Sequence, residues 1–216
     1  MRHQFLYLLL CLACATGCTS SGAPSDKSVN FEDESGNLET IESTNEDGYL
    51  ERFSRRKSDY AREGTYFKLN PAGQLIETAQ YHNDTLHGER VLFYESGDTL
   101  QVEHYQHGIF EGTYRSFYPG GKLELEGLYV GNTMDGLWKG YYETGQLKET
   151  VTFSDNEENG PFVEYHPNGQ LKAEGYYKNG DKEEGLLKLY NESGKLVKTM
   201  NCNAGICRTV WKDKSS

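Results

Sequence analysis

The side chains that could do chemistry are few, and their spacing is poor for it. Six histidines, His3, His82, His87, His104, His107 and His166, are the natural metal ligands and proton carriers of the chain. His104 and His107 lie three apart, but on a strand and its loop they need not converge, and no cysteine stands beside them at zinc spacing. Asp155-Asn156-Glu157-Glu158-Asn159-Gly160 has the acid spacing with which a calcium loop opens, but the twelfth position requires Glu and holds His166. A solvated acidic turn accounts for the segment better. No Gly-x-Ser-x-Gly elbow, Walker loop or dinucleotide fingerprint occurs. Acids recur throughout, and no one pair stands out. No catalytic residue, metal or cofactor is expected, and the protein reads as a non-enzyme.

The elements that carry these residues are repeats. Glycines recur at Gly64, Gly88, Gly112, Gly136, Gly160 and Gly185. Nine residues after each stands a second glycine, Gly73, Gly97, Gly121, Gly145, Gly169 and Gly194. Two residues further comes Leu75, Leu123, Leu147, Leu171 or Leu196, with Thr99 as the exception beside Leu100. Seventeen residues after the first glycine lies Tyr81, Tyr105, Tyr129, Phe153, Tyr177 and finally Cys202. Five residues after it lies Leu69, Phe93, Phe117, Tyr141, Tyr165 or Tyr190.

Each unit reads as a β-hairpin. In Pro167-Asn168-Gly169 proline pre-sets a type I turn and glycine takes the left-handed position that other residues resist. Leu171, Ala173, Gly175 and Tyr177 then share one face by strand alternation. The fold expected is all-β: an elongated, single-layer antiparallel solenoid of tandem β-hairpin repeats. Twelve strands would make a sheet of about 58 Å. One unit cannot bury its aromatic stripe alone, whereas stacked neighbours can.

Tyr142-x-x-Gly145-x-Leu147 with Phe153, and Tyr118-x-x-Gly121-x-Leu123 with Tyr129, resemble the MORN repeat, in particular the bacterial variant found in the YwqK-like antitoxin family. The resemblance covers residues 64–202 and implies six MORN-like hairpins. It implies a scaffold or binding role and, more narrowly, toxin neutralisation. It transfers no site residue.

The amino terminus reads as an export signal over residues 1–17. Arg2 and His3 precede an apolar run from Phe5 to Ala15, too short to span a bilayer. Ala15-Thr16-Gly17-Cys18, followed by a polar stretch, resembles the lipobox of bacterial lipoproteins, in which the cysteine is acylated and becomes the first residue. Ala15 stands where Leu is usual. Cys14 is the alternative lipid site, and an ordinary signal peptide cleaved near Ala15 is the alternative reading. Lipid at Cys18 would place the protein in the cell envelope, anchored to the outer membrane of a Gram-negative bacterium, and two or three acyl chains would hold it there.

Residues 18–47 carry the attachment point and then eight acids against one base, Lys27. Such a stretch reads as a flexible acidic tether. Residues 48–63 read as a degenerate capping repeat; Arg52, Arg55, Arg56 and Lys57 would either polarise the sheet end or bind an anion. Residues 203–216 form the other cap. Cys202 and Cys207 flank a four-residue loop in an exported chain, which points to a hairpin-closing disulfide.

The net charge of −11 argues against nucleic acid and against electrostatic adhesion to anionic lipid. The stretches 82–87, 106–111, 130–135, 154–159 and 178–184 vary while the opposite turns stay constant, so one edge would present a different side-chain set in each unit. The function expected is a non-catalytic interaction module anchored at the envelope, with an unidentified protein partner. The alternatives are a toxin neutraliser and, behind it, a hydrolase of envelope polymers.

Overall fold

The computed structural model describes residues 36–214. The signal segment 1–17, the Cys18 lipid site and the acidic residues before 36 lie outside the described residues. Sixteen strands and no helix form among the described residues. They are β1 (Leu38–Thr44), β2 (Leu50–Arg56), β3 (Arg62–Leu69), β4 (Leu75–His82), β5 (Thr85–Phe93), β6 (Thr99–Gln106), β7 (Ile109–Phe110) and β8 (Gly112–Phe117). They continue as β9 (Leu123–Val130), β10 (Thr133–Tyr141), β11 (Leu147–Ser154), β12 (Glu157–Tyr165), β13 (Leu171–Tyr177), β14 (Gly185–Tyr190), β15 (Leu196–Asn203) and β16 (Ile206–Lys212). All pair antiparallel in chain order in one open sheet, with β7 and β8 sharing a position beside β6. The single-layer solenoid expected from the repeat is the fold observed. Fifteen strand positions at about 4.8 Å give a length of about 67 Å.

The hairpins close through one turn used seven times, at 45–49, 70–74, 94–98, 118–122, 142–146, 166–170 and 191–195. The first residue donates its N–H to the carbonyl of the fifth, and the fourth donates back to the first. That fourth residue is always glycine at positive φ, for example Gly145 at 93°. Residues with a Cβ resist this conformation, which is why the column does not vary.

Gly48 is the first of these glycines, so β1 and β2 form a leading hairpin. Two expectations are corrected here. The tether does not extend to residue 47, because Leu38–Thr44 is a strand. The stretch 48–63 is not one capping unit, because β2 closes one hairpin and β3 opens the next. Charge is the physical reason. The acids of β1 have no bases within their own segment, but Glu39 faces Arg55 and Glu42 faces Arg52 across the ladder. Arg55 Nε donates to Glu39 at 2.7 Å, and Arg52 pairs with Glu42. Arg56 completes the set with Asp59 and Glu63. The three arginines of the basic cluster are engaged by these carboxylates and Lys57 bonds the carbonyl of Gly36 at 2.8 Å, which leaves little of it for a separate anion.

The opposite edge is tighter than expected. The varied stretches are mostly strand ends joined by two-residue turns at Asn83-Asp84, His107-Gly108, Gly131-Asn132, Asp155-Asn156 and Ala204-Gly205. Both residues of each turn lie at positive φ, as type I′ requires. Only 178–184 remains a longer loop, bridged by Tyr177 and Glu183. Asp155 and Asn156, the head of the calcium-like segment, are such a turn.

Neighbouring units are stitched at both edges. Asp84 N–H donates to Arg62 O at 3.0 Å, Gly108 to Leu86 at 2.8 Å and Asn132 to Phe110 at 3.0 Å. On the five-residue side the hydroxyls of Tyr94, Tyr118 and Tyr142 reach the carbonyls of Phe117, Tyr141 and Tyr165 in the next unit at 2.7, 2.8 and 2.7 Å. His166 Nε2 does the same to Tyr190 O at 3.0 Å. Tyr142→Phe keeps the ring and removes one stitch. It is expected to cost about 1 kcal/mol in urea unfolding, and a loss within error would mean the stitch contributes nothing.

The core lies on one face of the sheet. Two residues after each first glycine stands a large side chain: Tyr66, Tyr114, Trp138, Phe162 and Leu187, with Arg90 as the polar exception. Smaller residues face four of them across the ladder, whereas Leu187 faces Met200. Tyr66 opposes Ala79, Tyr114 opposes Gly127, Trp138 opposes Val151, and Phe162 opposes Gly175. This size complementarity lets the rings lie down over the neighbouring strand. The predicted stripe Tyr81, Tyr105, Tyr129, Phe153 and Tyr177 packs beside it. Tyr66 meets Tyr81 at 5.8 Å, Tyr114 meets Tyr129 at 5.9 Å, and Phe162 stacks on Tyr177 at 4.1 Å between centroids. Burial pushes the Tyr114 hydroxyl up to about 12. Where Arg90 replaces the ring, Glu77 and Glu103 neutralise it at 2.7 and 3.0 Å.

Tyr141 and Tyr190, of the column five residues after the first glycine, do not join this core. They bond Glu126 and Glu174 at 2.8 and 2.7 Å on the opposite face, alongside Lys139 and Lys188. These partners hold both carboxyls below the usual range.

Candidate functional site

The buried face opens into a cleft of about 670 Å³ across the middle units. Tyr114, Leu125, Tyr129, Met134, Trp138 and Phe153 make its apolar floor. Asn132, Asn156, Glu157, Glu158 and Asp181 make its polar end. Each comes from a fixed place in the repeat. The rings belong to the two aromatic columns, Asn132 and Asn156 to the two-residue turns, and Asp181 to the one long loop. The rings hold one another edge to face, with Tyr129 at 5.3 Å and Phe153 at 6.0 Å from Trp138. Phe110 stacks under Tyr129 at 3.9 Å. The asparagines are anchored in turn, since Asn132 Oδ1 accepts from Phe110 N–H at 2.8 Å and Asn156 Oδ1 from Met134 N–H at 2.7 Å.

Glu158 is the unusual group. It lies opposite Phe153 in the ladder and is buried, and its Oε2 has no hydrogen-bond partner among the described residues. Burial first, then the charges of Asp181, Glu149 and Glu183, push its carboxyl up to about 7. The unfolded carboxyl titrates near 4.5. Between those values the folded chain holds a proton that the unfolded chain has released. The group's stabilisation is therefore complete below about 4.5 and is lost as pH rises through about 7. Glu158→Gln is expected to raise the melting temperature at pH 8 and leave it unchanged near pH 4. Thermal melts followed by circular dichroism check this; an equal shift at both pH values contradicts it.

The other candidates fall elsewhere. His82, His87 and His107 line up along the two-residue-turn edge, with ring centroids 5.9 and 4.9 Å apart. His82 Nδ1 is bonded to Glu63 at 2.6 Å. His104 is not part of this row: its Nδ1 bonds the carbonyl of Thr113 at 2.9 Å and its Nε2 lies 3.7 Å from Glu89. No set of three histidines, cysteines or acids among the described residues has the geometry to hold a metal ion. Cys202 and Cys207 face each other across the β15–β16 hairpin and are joined as a disulfide. Cys202 fills the last place in the aromatic column and packs into the core. A loop this short gives a chain-entropy contribution of about 2 kcal/mol.

Three features of the cleft lie outside the columns read from the sequence: Trp138, Glu158 and Asp181. Trp138 belongs to a column whose only constant is size. Glu158 holds the place that Phe110 and Met134 fill in the two preceding units, where residue type is not retained, and Asp181 lies in the loop 178–184.

Seven hairpins with one turn, stacked so that each touches only its neighbours, define a quasi-one-dimensional repeat protein. Comparison with known families then identifies the units. The MORN repeat variant matches residues 86–107, 110–130, 134–155, 158–179 and 183–201. Five units between residues 86 and 201 thus match the MORN repeat variant, a kind of repeat that generally serves as a protein- or membrane-interaction module. The hairpin at Gly64 precedes the matched stretch and makes the same turn bonds. No curated protein matches the sequence.

Proposed function

We propose that this protein is a non-catalytic interaction module, tethered by lipid on Cys18 to the cell envelope of a Gram-negative bacterium, which offers the aromatic cleft of its repeat sheet to a protein partner. The observation that carries this is the cleft itself. A sheet that buries its own rings well has no structural need for an open cavity ending in carboxylates. The lipid rests on Ala15-Thr16-Gly17-Cys18. It accords with the charge, since a chain at −11 would not hold to anionic lipid by itself.

A toxin neutraliser, as in the YwqK-like proteins, is a narrower form of this reading, favoured by the acidic end of the cleft, which suits a basic toxin surface. Harmless deletion of the gene together with a pull-down free of any toxin would remove it.

Two measurements test the main reading. Metabolic labelling with an acyl-chain probe should mark the protein and be lost in Cys18→Ala; label retained in that variant moves the anchor to Cys14 or elsewhere. Chemical crosslinking in the native envelope should recover one dominant protein. A spread of abundant bystanders would contradict the interaction role.

A further inference from the structure

Two buried polar atoms have no hydrogen-bond partner among the described residues: Trp138 Nε1 and Glu158 Oε2. Trp138 is 1% exposed and Glu158 9% exposed. Both residues line the same cleft, one from its floor and one from its acidic end. They come from β10 and β12, and one is a donor and the other an acceptor. Elsewhere on this face buried charge is matched, as Arg90 is by Glu77 and Glu103. Here it is not: no basic side chain stands among the groups acting on Glu158, which are Asp181, Glu149 and Glu183. Glu149 is itself paired with Lys148 at 3.1 Å.

The chemistry narrows the occupant. An apolar ligand would suit the rings and leave Glu158 unpaired. An anion would meet carboxylates. A neutral polyol would bond Glu158 without relieving the repulsion around it. A cation with N–H donors does both, and aromatic rings are good partners for it. The cleft is also far larger than one ammonium or guanidinium group, so the cation arrives on a longer chain that fills the rest.

We propose that the cleft receives a lysine or arginine side chain carried by an extended segment of a partner protein, with the cation against the half-buried ring of Tyr129, next to Trp138, and its N–H groups bonded to Glu158. This rests on the array being an interaction module and specifies the chemistry of its partner.

The test uses the full chain carrying Trp211→Phe. The protein has two tryptophans, so Trp138 then reports alone. The probes are acetyl-Gly-Leu-Lys-Gly-Leu-Gly amide, the same peptide with Gln for Lys, and phosphatidylcholine vesicles. The lysine peptide should change Trp138 emission saturably at pH 8. The change should weaken about tenfold with the Gln peptide and about tenfold in Glu158→Gln. It should also fade as pH falls through about 7, where the carboxyl takes up its proton. Glu158→Gln keeps the side-chain shape, and its melting curve shows that it is folded.

Equal affinity for the two peptides, equal affinity of the two proteins, or a saturable response to the vesicles but not to the lysine peptide overturns the proposal. So does the absence of any saturable response. Binding of the lysine peptide that ignores Glu158→Gln sinks this site and leaves the interaction role standing. Loss of the crosslinked envelope partner would sink the role itself.

Discussion

Trp138→Ala is expected to destabilise the protein by about 3–5 kcal/mol, the usual cost of emptying a buried aromatic site. Trp138, 1% exposed, is the most enclosed of the large side chains among the described residues. It lies between the Tyr114, Tyr129 and Phe153 rings, so its removal loosens two adjacent units at once. The sheet has a single layer, and no second layer can collapse into the space. Urea unfolding monitored by circular dichroism measures the loss. A cost below about 1 kcal/mol would show that the aromatic face is not the core.

Gly127→Ala is expected to cost about 2–3 kcal/mol through overpacking. A Cβ at residue 127 would stand 2.1 Å from the Trp138 ring, closer than any contact allows. The ring would have to leave its place, and it is held on its other sides. The two substitutions are therefore coupled. In a Trp138→Ala background the added methyl meets open space, and Gly127→Ala should become neutral or slightly stabilising, because alanine restricts the unfolded chain more than glycine. Additive losses in the double variant would mean that the glycine is kept for another reason.

The two results bear on what the sequence could reveal. The turn glycines stood out because their left-handed backbone conformation strongly disfavours other residues, so Gly73 through Gly194 repeat without exception. The stripe from Tyr81 to Tyr177 stood out because aromatic type is retained. The column of Tyr66, Arg90, Tyr114, Trp138, Phe162 and Leu187 did not, because packing there selects size and partner rather than type. Its signal is the small residue across the ladder, Ala79, Gly127, Val151 or Gly175, and that pairing is visible only once register is known.

The leading hairpin was hidden for a related reason. Glu39 and Glu42 make their own segment too acidic to fold alone, and the arginines that offset them lie on the following strand. Composition within a window cannot register a partner outside it. The cleft follows the same rule. Trp138, Glu158 and Asp181 come from β10, β12 and a loop beyond β13, and only the stacking of units brings them to one cavity.

Site-directed photocrosslinking in the native envelope tests the central claim most directly. A photoreactive residue at Asn132 sits in the cleft, and one at Leu186, exposed on the sheet, lies outside it. The expected result is one dominant adduct from position 132, weakened by Glu158→Gln, and none from position 186. The same adduct from 186 and none from 132 would place the partner elsewhere on the sheet and contradict the account.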